Sequence, residues 1–116
     1  MRPRALCPRF HKAIELVGGR WTGAILQLLL DRPARFAELA GAIPQISDRM
    51  LSERLQVLEK EGILTRSVLP TAPVRVEYAL TAKGRELQRS LDAVAAWAEK
   101  WIPDPARVTA RRSSRS

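Results

Sequence analysis

Two helical patterns separated by only three residues, Pro44-Gln45-Ile46, lie in the middle of the chain. Before the break, Phe36, Leu39, Ala40 and Ile43 recur at helical spacing. After it, Ser47 is a favourable N-cap for a helix that runs to about Glu61 and is stopped by Gly62. Two helices joined by three or four residues make a helix-turn-helix. This segment, Phe36 to Lys60, limits the fold more than any other feature.

The second of these helices is two-faced. At about 100° per residue, Leu51, Leu55 and Leu58 form one apolar stripe. Arg49, Glu53, Gln56 and Lys60 fall opposite, with Ser52 on the flank. A polar face opposite leucines is usually just solvated. These side chains are also the types that reach base edges: Arg pairs with guanine O6 and N7, Gln with adenine, and Glu accepts from cytosine N4. Glu53 follows Arg49 by four residues, so it is equally placed to orient that guanidinium. Ser47 and the free N–H groups of the first turn suit a phosphate.

The flanks fit the same architecture. A first helix is expected over about Arg9 to Val17, and a second, apolar on most sides and therefore buried, over Arg20 to Leu30. Trp21 reads as core. After Gly62 the period changes to two. Ile63–Leu69 and Val74–Leu80 read as strands, joined by Pro70-Thr71-Ala72-Pro73. A hairpin behind a helix-turn-helix is the wing of a winged helix. Thr81 caps a last long helix to about Ile102, with Leu91, Val94, Ala98 and Trp101 on one stripe and Trp97 one turn before Trp101. The fold class is thus mostly α with a small β-hairpin wing: a winged helix-turn-helix.

Charge places the polyanion affinity outside the central helix. The net charge is +8 across 116 residues, which suggests nucleic acid as a partner. Residues 1–12 carry +4 and residues 103–116 carry +3, leaving +1 for everything between. Residues 44–60 are neutral: Arg49, Arg54 and Lys60 balance Asp48, Glu53 and Glu59. Such a helix specifies sequence, while phosphate affinity comes from the turn, the wing arginines Arg66 and Arg75, and the ends. Residues 1–8 read as a flexible basic arm, 9–102 as the winged domain with dimerising terminal helices, and 103–116 as a disordered basic tail.

At this point the sequence resembles the HxlR-type winged-helix regulators of bacteria. The resemblance is carried by Cys7-Pro8, by Ile14 to Trp21 (IELVGGRW) and by Arg35 to Leu39 (RFAEL). It continues through Ile43 to Leu55 (IPQISDRMLSERL), Leu58 to Leu64 (LEKEGIL) and Arg75 to Gly84 (RVEYALTAKG). It implies a homodimer that binds double-stranded operator DNA, with first and last helices forming the dimer interface. The interface residues would be Phe10, Ile14, Leu91, Val94, Trp97, Ala98 and Trp101. Arg35, Gln45, Ser47, Arg49, Met50, Ser52, Glu53, Arg54, Gln56, Arg66 and Arg75 are the DNA-binding candidates. Some members sense electrophiles or oxidants through an N-terminal cysteine, which matches Cys7 and implies a small-molecule effector. Two departures bear on wing pose and target: one proline before Val74-Arg75 where two are common, and Gln45 where glycine is common.

Cys7 is the only cysteine and His11 the only histidine. That excludes an internal disulfide and a structural zinc site. A lone cysteine is more often an inert small hydrophobe, but Arg4, Arg9 and His11 stand near Cys7, and cationic neighbours favour thiolate chemistry. His11 reads as a surface or interface residue. The sequence holds no serine–histidine–acid set, phosphate-cradling glycine loop or paired carboxylates, so no enzyme and no cofactor is expected. No apolar run approaches a membrane span or a secretory signal, which implies a cytoplasmic protein. The alternative reading is a winged-helix protein-interaction module that docks partners through its aromatic last helix.

Overall fold

The computed structural model describes residues 5–104. The expected basic tail beyond Asp104, with Arg107, Arg111, Arg112 and Arg115, and the start of the N-terminal arm lie outside them. Residues up to Glu86 form one compact unit, and those from Leu87 a second.

In the first unit, α1 spans Pro8–Val17 and α2 spans Thr22–Asp31. Pro8 occupies the first turn of α1, where its missing N–H is not needed. α2 buries Ile25, Leu26 and Leu29 almost completely. It stops where Arg32, the residue before Pro33, is fully extended at φ −165 and ψ 160, as proline requires of its predecessor. Trp21 departs from expectation. It precedes α2 in a left-handed conformation, φ 70, and is only half-buried. Its ring lies under the Arg20 guanidinium, 5.2 Å away, so it belongs to the surface of the α1–α2 turn rather than the core.

A two-residue strand follows, β1 at Ala34–Arg35, then α3 at Phe36–Ala42 and α4 at Asp48–Lys60. The hairpin is β2, Leu64–Leu69, and β3, Arg75–Leu80. The antiparallel sheet has the order β1-β3-β2. β3 is therefore central, shielded on both edges, and its burial does not alternate cleanly as a two-stranded wing would. Leu39, Leu51, Leu55, Leu58, Ile63, Leu64 and Leu80 close the core over α2.

The last helix is two pieces, not one: α5, Ala82–Arg85, and α6, Gln88–Trp101. Between them Glu86 and Leu87 remain helical, but with ψ of −17 and −15, values nearer a 3₁₀ turn. Gly84, in α5, is buried against the Ile63 carbonyl. α6 buries none of its residues; Val94, Trp97 and Trp101 are all more than half exposed. Leu91 and Ala98 are half-buried. α1 also buries nothing fully, and Phe10 and Ile14 are exposed.

Candidate nucleic-acid interface

α4 is held rigidly at both ends. At its start the Ser47 hydroxyl accepts the Met50 N–H at 3.1 Å, while Asp48 adds an anion to the first turn. At its end Gly62 takes φ +75, a conformation that glycine adopts without strain. Gly62 N–H then donates to the Glu59 carbonyl (3.0 Å) and Ile63 N–H to the Leu58 carbonyl (2.9 Å), the paired bonds of a Schellman cap. Leu58 and Ile63, both buried, complete it. The leucine stripe fixes rotation: Leu51, Leu55 and Leu58 are at most 2% exposed.

That rotation turns Arg49, Glu53, Gln56 and Lys60 outward, as the wheel requires. Arg49 is 90% exposed, and its Nε donates to Glu53 Oε1 at 3.2 Å. Ser52 and Met50 are half-buried on the flanks. Arg54 does not join the outward group. It is half-buried, its Nε is enclosed without a hydrogen-bond partner, and its Nη1 lies close over Gly19 in the α1–α2 turn. One outward residue was missed. Val57 is 44% exposed and lines an open groove with Glu53, Arg54, Gln56 and Lys60. Its signal was available in the wheel, where Val57 falls well away from the leucine stripe. An exposed valine there suits a thymine methyl.

The start of α3 is pinned by Glu38. Its carboxylate accepts the Arg35 backbone N–H at 3.1 Å and the Arg35 Nε at 3.3 Å, with Arg32 3.7 Å away. The backbone bond and then the Arg35 guanidinium hold the Glu38 carboxyl below its usual range. Arg35 is thereby engaged at the head of α3, half exposed, one helix length before the turn. In the turn between α3 and α4, Gln45 is exposed and Ile46 buried, the Ile46 N–H bonding the Ile43 carbonyl at 3.1 Å.

The wing separates its two arginines. Arg66 pairs with Tyr78, and Arg75 with Leu69. Since facing residues of an antiparallel pair share a side and neighbours alternate, Arg66 and Arg75 lie on opposite faces of the hairpin. Both are exposed. At the other end of the unit, Cys7 is exposed just ahead of α1, its carbonyl accepting the His11 N–H. His11 Nε2 meets Glu15 Oε1 at 2.7 Å.

The HxlR-like helix-turn-helix model matches residues 16–106. The chain belongs to that family. Among the relatives, the HTH-type transcriptional regulator YvaP of Bacillus subtilis is 46% identical over 105 residues, 90% of this chain and 96% of YvaP. Solved structures agree. The reduced form of the transcriptional regulator YodB from B. subtilis superposes with a TM-score of 0.77 at 45% identity, covering 84% of this chain and 96% of that one. The redox regulator HypR in its oxidised form gives a TM-score of 0.78 at 34% identity, covering 84% and 100%. The winged-helix architecture and the role as an HxlR-like transcriptional regulator follow. No helix among the described residues is long and apolar enough to cross a membrane.

Proposed function

We propose that the protein binds an inverted-repeat operator as a cytoplasmic homodimer, without enzymatic activity. α4 enters the major groove of each half-site, and the two half-sites lie about 34–36 Å apart. The observation that carries this reading is the outward face of a doubly capped α4, with Arg49, Glu53, Gln56, Val57 and Lys60 free of core contacts. Arg49 and Gln56 read bases, and Val57 meets a thymine methyl. Ser47 and the wing arginines Arg66 and Arg75 bind the backbone.

Arg49→Ala tests the reading. The expected result is a loss of preference at one base pair per half-site, worth about 1–3 kcal/mol. Titration of the promoter beside the protein's own gene, at two salt concentrations, provides the measurement. Uniform weakening on every sequence would instead make Arg49 a phosphate clamp. If the dimer binds no DNA with sequence preference, the protein-docking alternative takes its place.

Cys7 is proposed as the sensing thiol, with an electrophile or oxidant as effector. YodB and HypR support it, being solved in a reduced form and described as a redox regulator respectively. The thiol is exposed at the head of a helix that itself presents apolar side chains outward. With no second cysteine, it adds directly to an electrophile, is capped by a small thiol, or bridges to a second copy. A quinone or diamide series should change operator affinity at least about 5-fold in the native chain. Cys7→Ser should give a flat response, and superimposable curves for the two would remove Cys7 from the mechanism.

A further inference from the structure

Arg49 and Glu53 are joined across one turn of α4, and the way they are joined limits what Arg49 can do. The bond uses the Arg49 Nε and Glu53 Oε1, 3.2 Å apart. Among the described residues no partner engages the Arg49 terminal nitrogens, and the side chain is 90% exposed. We propose that Glu53 is a positioning residue that presents Arg49 end-on to a guanine, and so sets the base preference of α4 at that position. This rests on the reading of α4 as the recognition helix.

The chemistry is specific. Guanine offers O6 and N7 as two adjacent acceptors, and a planar guanidinium matches them with two parallel N–H donors. Arg49 has two ways to offer such a pair: through Nε and one terminal nitrogen, or through both terminal nitrogens. Glu53 occupies Nε and leaves the second. It also holds a long side chain in one orientation before DNA arrives, which lowers the ordering cost of binding. The carboxylate has a second consequence. As an exposed anion on the DNA-facing side, it weakens attachment to any phosphate backbone. The two effects have opposite signs on specific and unrelated DNA, and that separates positioning from simple charge. An ion pair that served only helix stability would move neither the base preference nor the ratio between the two.

The test is selection from a randomised duplex pool by the full-length dimer, followed by titration of the selected duplex and its single-base variants. Native protein, Arg49→Ala, Glu53→Ala and Glu53→Gln are compared. These side chains are exposed, so equal melting temperatures and equal helical signal are expected throughout. Native protein selects guanine at one position per half-site, and Arg49→Ala loses it. Glu53→Ala lowers the guanine preference there by about 5–10-fold while binding unrelated DNA more tightly. Glu53→Gln keeps an acceptor oxygen and falls between. If Glu53→Ala retains the full guanine preference while Arg49→Ala loses it, the positioning role is refuted and the recognition helix stands. Loss of a cytosine preference at a neighbouring position, with guanine intact, also refutes positioning, because Glu53 then reads a base itself. If Arg49→Ala selects the native motif, the reading of Arg49 as a base contact fails, and this inference falls with it.

Discussion

Trp97→Glu should convert the proposed homodimer to a monomer and lower operator binding about 100-fold or more, a shift of about 2.8 kcal/mol at about 1.4 kcal/mol per tenfold. The reason begins with α6 itself. It is a 14-residue helix that buries none of its residues, and isolated helices of that length are marginal in water. Leu91, Val94, Ala98 and Trp101 follow a three-four-three spacing, and Trp97 extends the stripe, the pattern of a helix seam. Trp97 is 59% and Trp101 64% exposed. A fully buried aromatic removes roughly 150–250 Å² from water, at about 25 cal/mol per Å². Closing such a stripe against a second copy is strongly favourable, and a glutamate at its centre must be desolvated without a partner. A monomer then meets each half-site alone and loses the effective concentration that linkage supplies. Light scattering across a dilution series and operator titration are the measurements. A variant that remains dimeric with native affinity would place the interface elsewhere.

How far the sequence reveals this molecule depends on whether a feature is local. The α4 stripe was legible because Leu51, Leu55 and Leu58 repeat at the helical period, and burial is one-sided as that demands. Ser47 and Gly62 marked the ends because capping is a short-range interaction. β1 was not legible: two residues carry no period, and Ala34–Arg35 becomes a strand only because β3 offers an edge. The opposed faces of Arg66 and Arg75 follow from register, Arg66 with Tyr78 and Leu69 with Arg75, which neither strand encodes alone. Arg54 sits beside the leucine stripe, and its enclosed Nε and its approach to Gly19 are set by the packing of α4 near the α1–α2 turn, not by α4 alone. Trp21 looked like core because it falls at helical spacing with apolar neighbours, yet it is half-buried in a left-handed turn ahead of α2. The interruption after α5 likewise has a tertiary setting: Gly84 lies against a carbonyl 21 residues earlier in the chain.

That contact makes Gly84→Ala a damaging substitution. A methyl at Gly84 would meet the Ile63 carbonyl oxygen far inside van der Waals contact, with Leu80 Cδ2 only 3.2 Å away. The carbonyl cannot readily retreat. It accepts the Thr81 N–H at 3.0 Å and the Thr81 hydroxyl at 3.1 Å. The same hydroxyl lies 2.6 Å from the Gly62 carbonyl and accepts the Gly84 N–H, and Lys83 Nζ donates to the Glu61 carbonyl at 2.6 Å. Relief therefore means moving α5 away from Glu61–Ile63, the residues that cap α4. The cost expected from overpacking is about 1–3 kcal/mol. At about 4–8 °C per kcal/mol for a domain of this size, melting should fall by roughly 5–20 °C. Gly23→Ala and Gly41→Ala are the controls. Both lie in helices with nothing within 4 Å of an added methyl, and alanine there should be neutral or stabilising by about 0.5–1 kcal/mol. All three are melted at one protein concentration, because the proposed dimerisation would make melting depend on it. Equal melting of Gly84→Ala and the controls would mean that α5 shifts freely. A large drop for Gly84→Ala alone would show that α5 is locked against Glu61–Ile63.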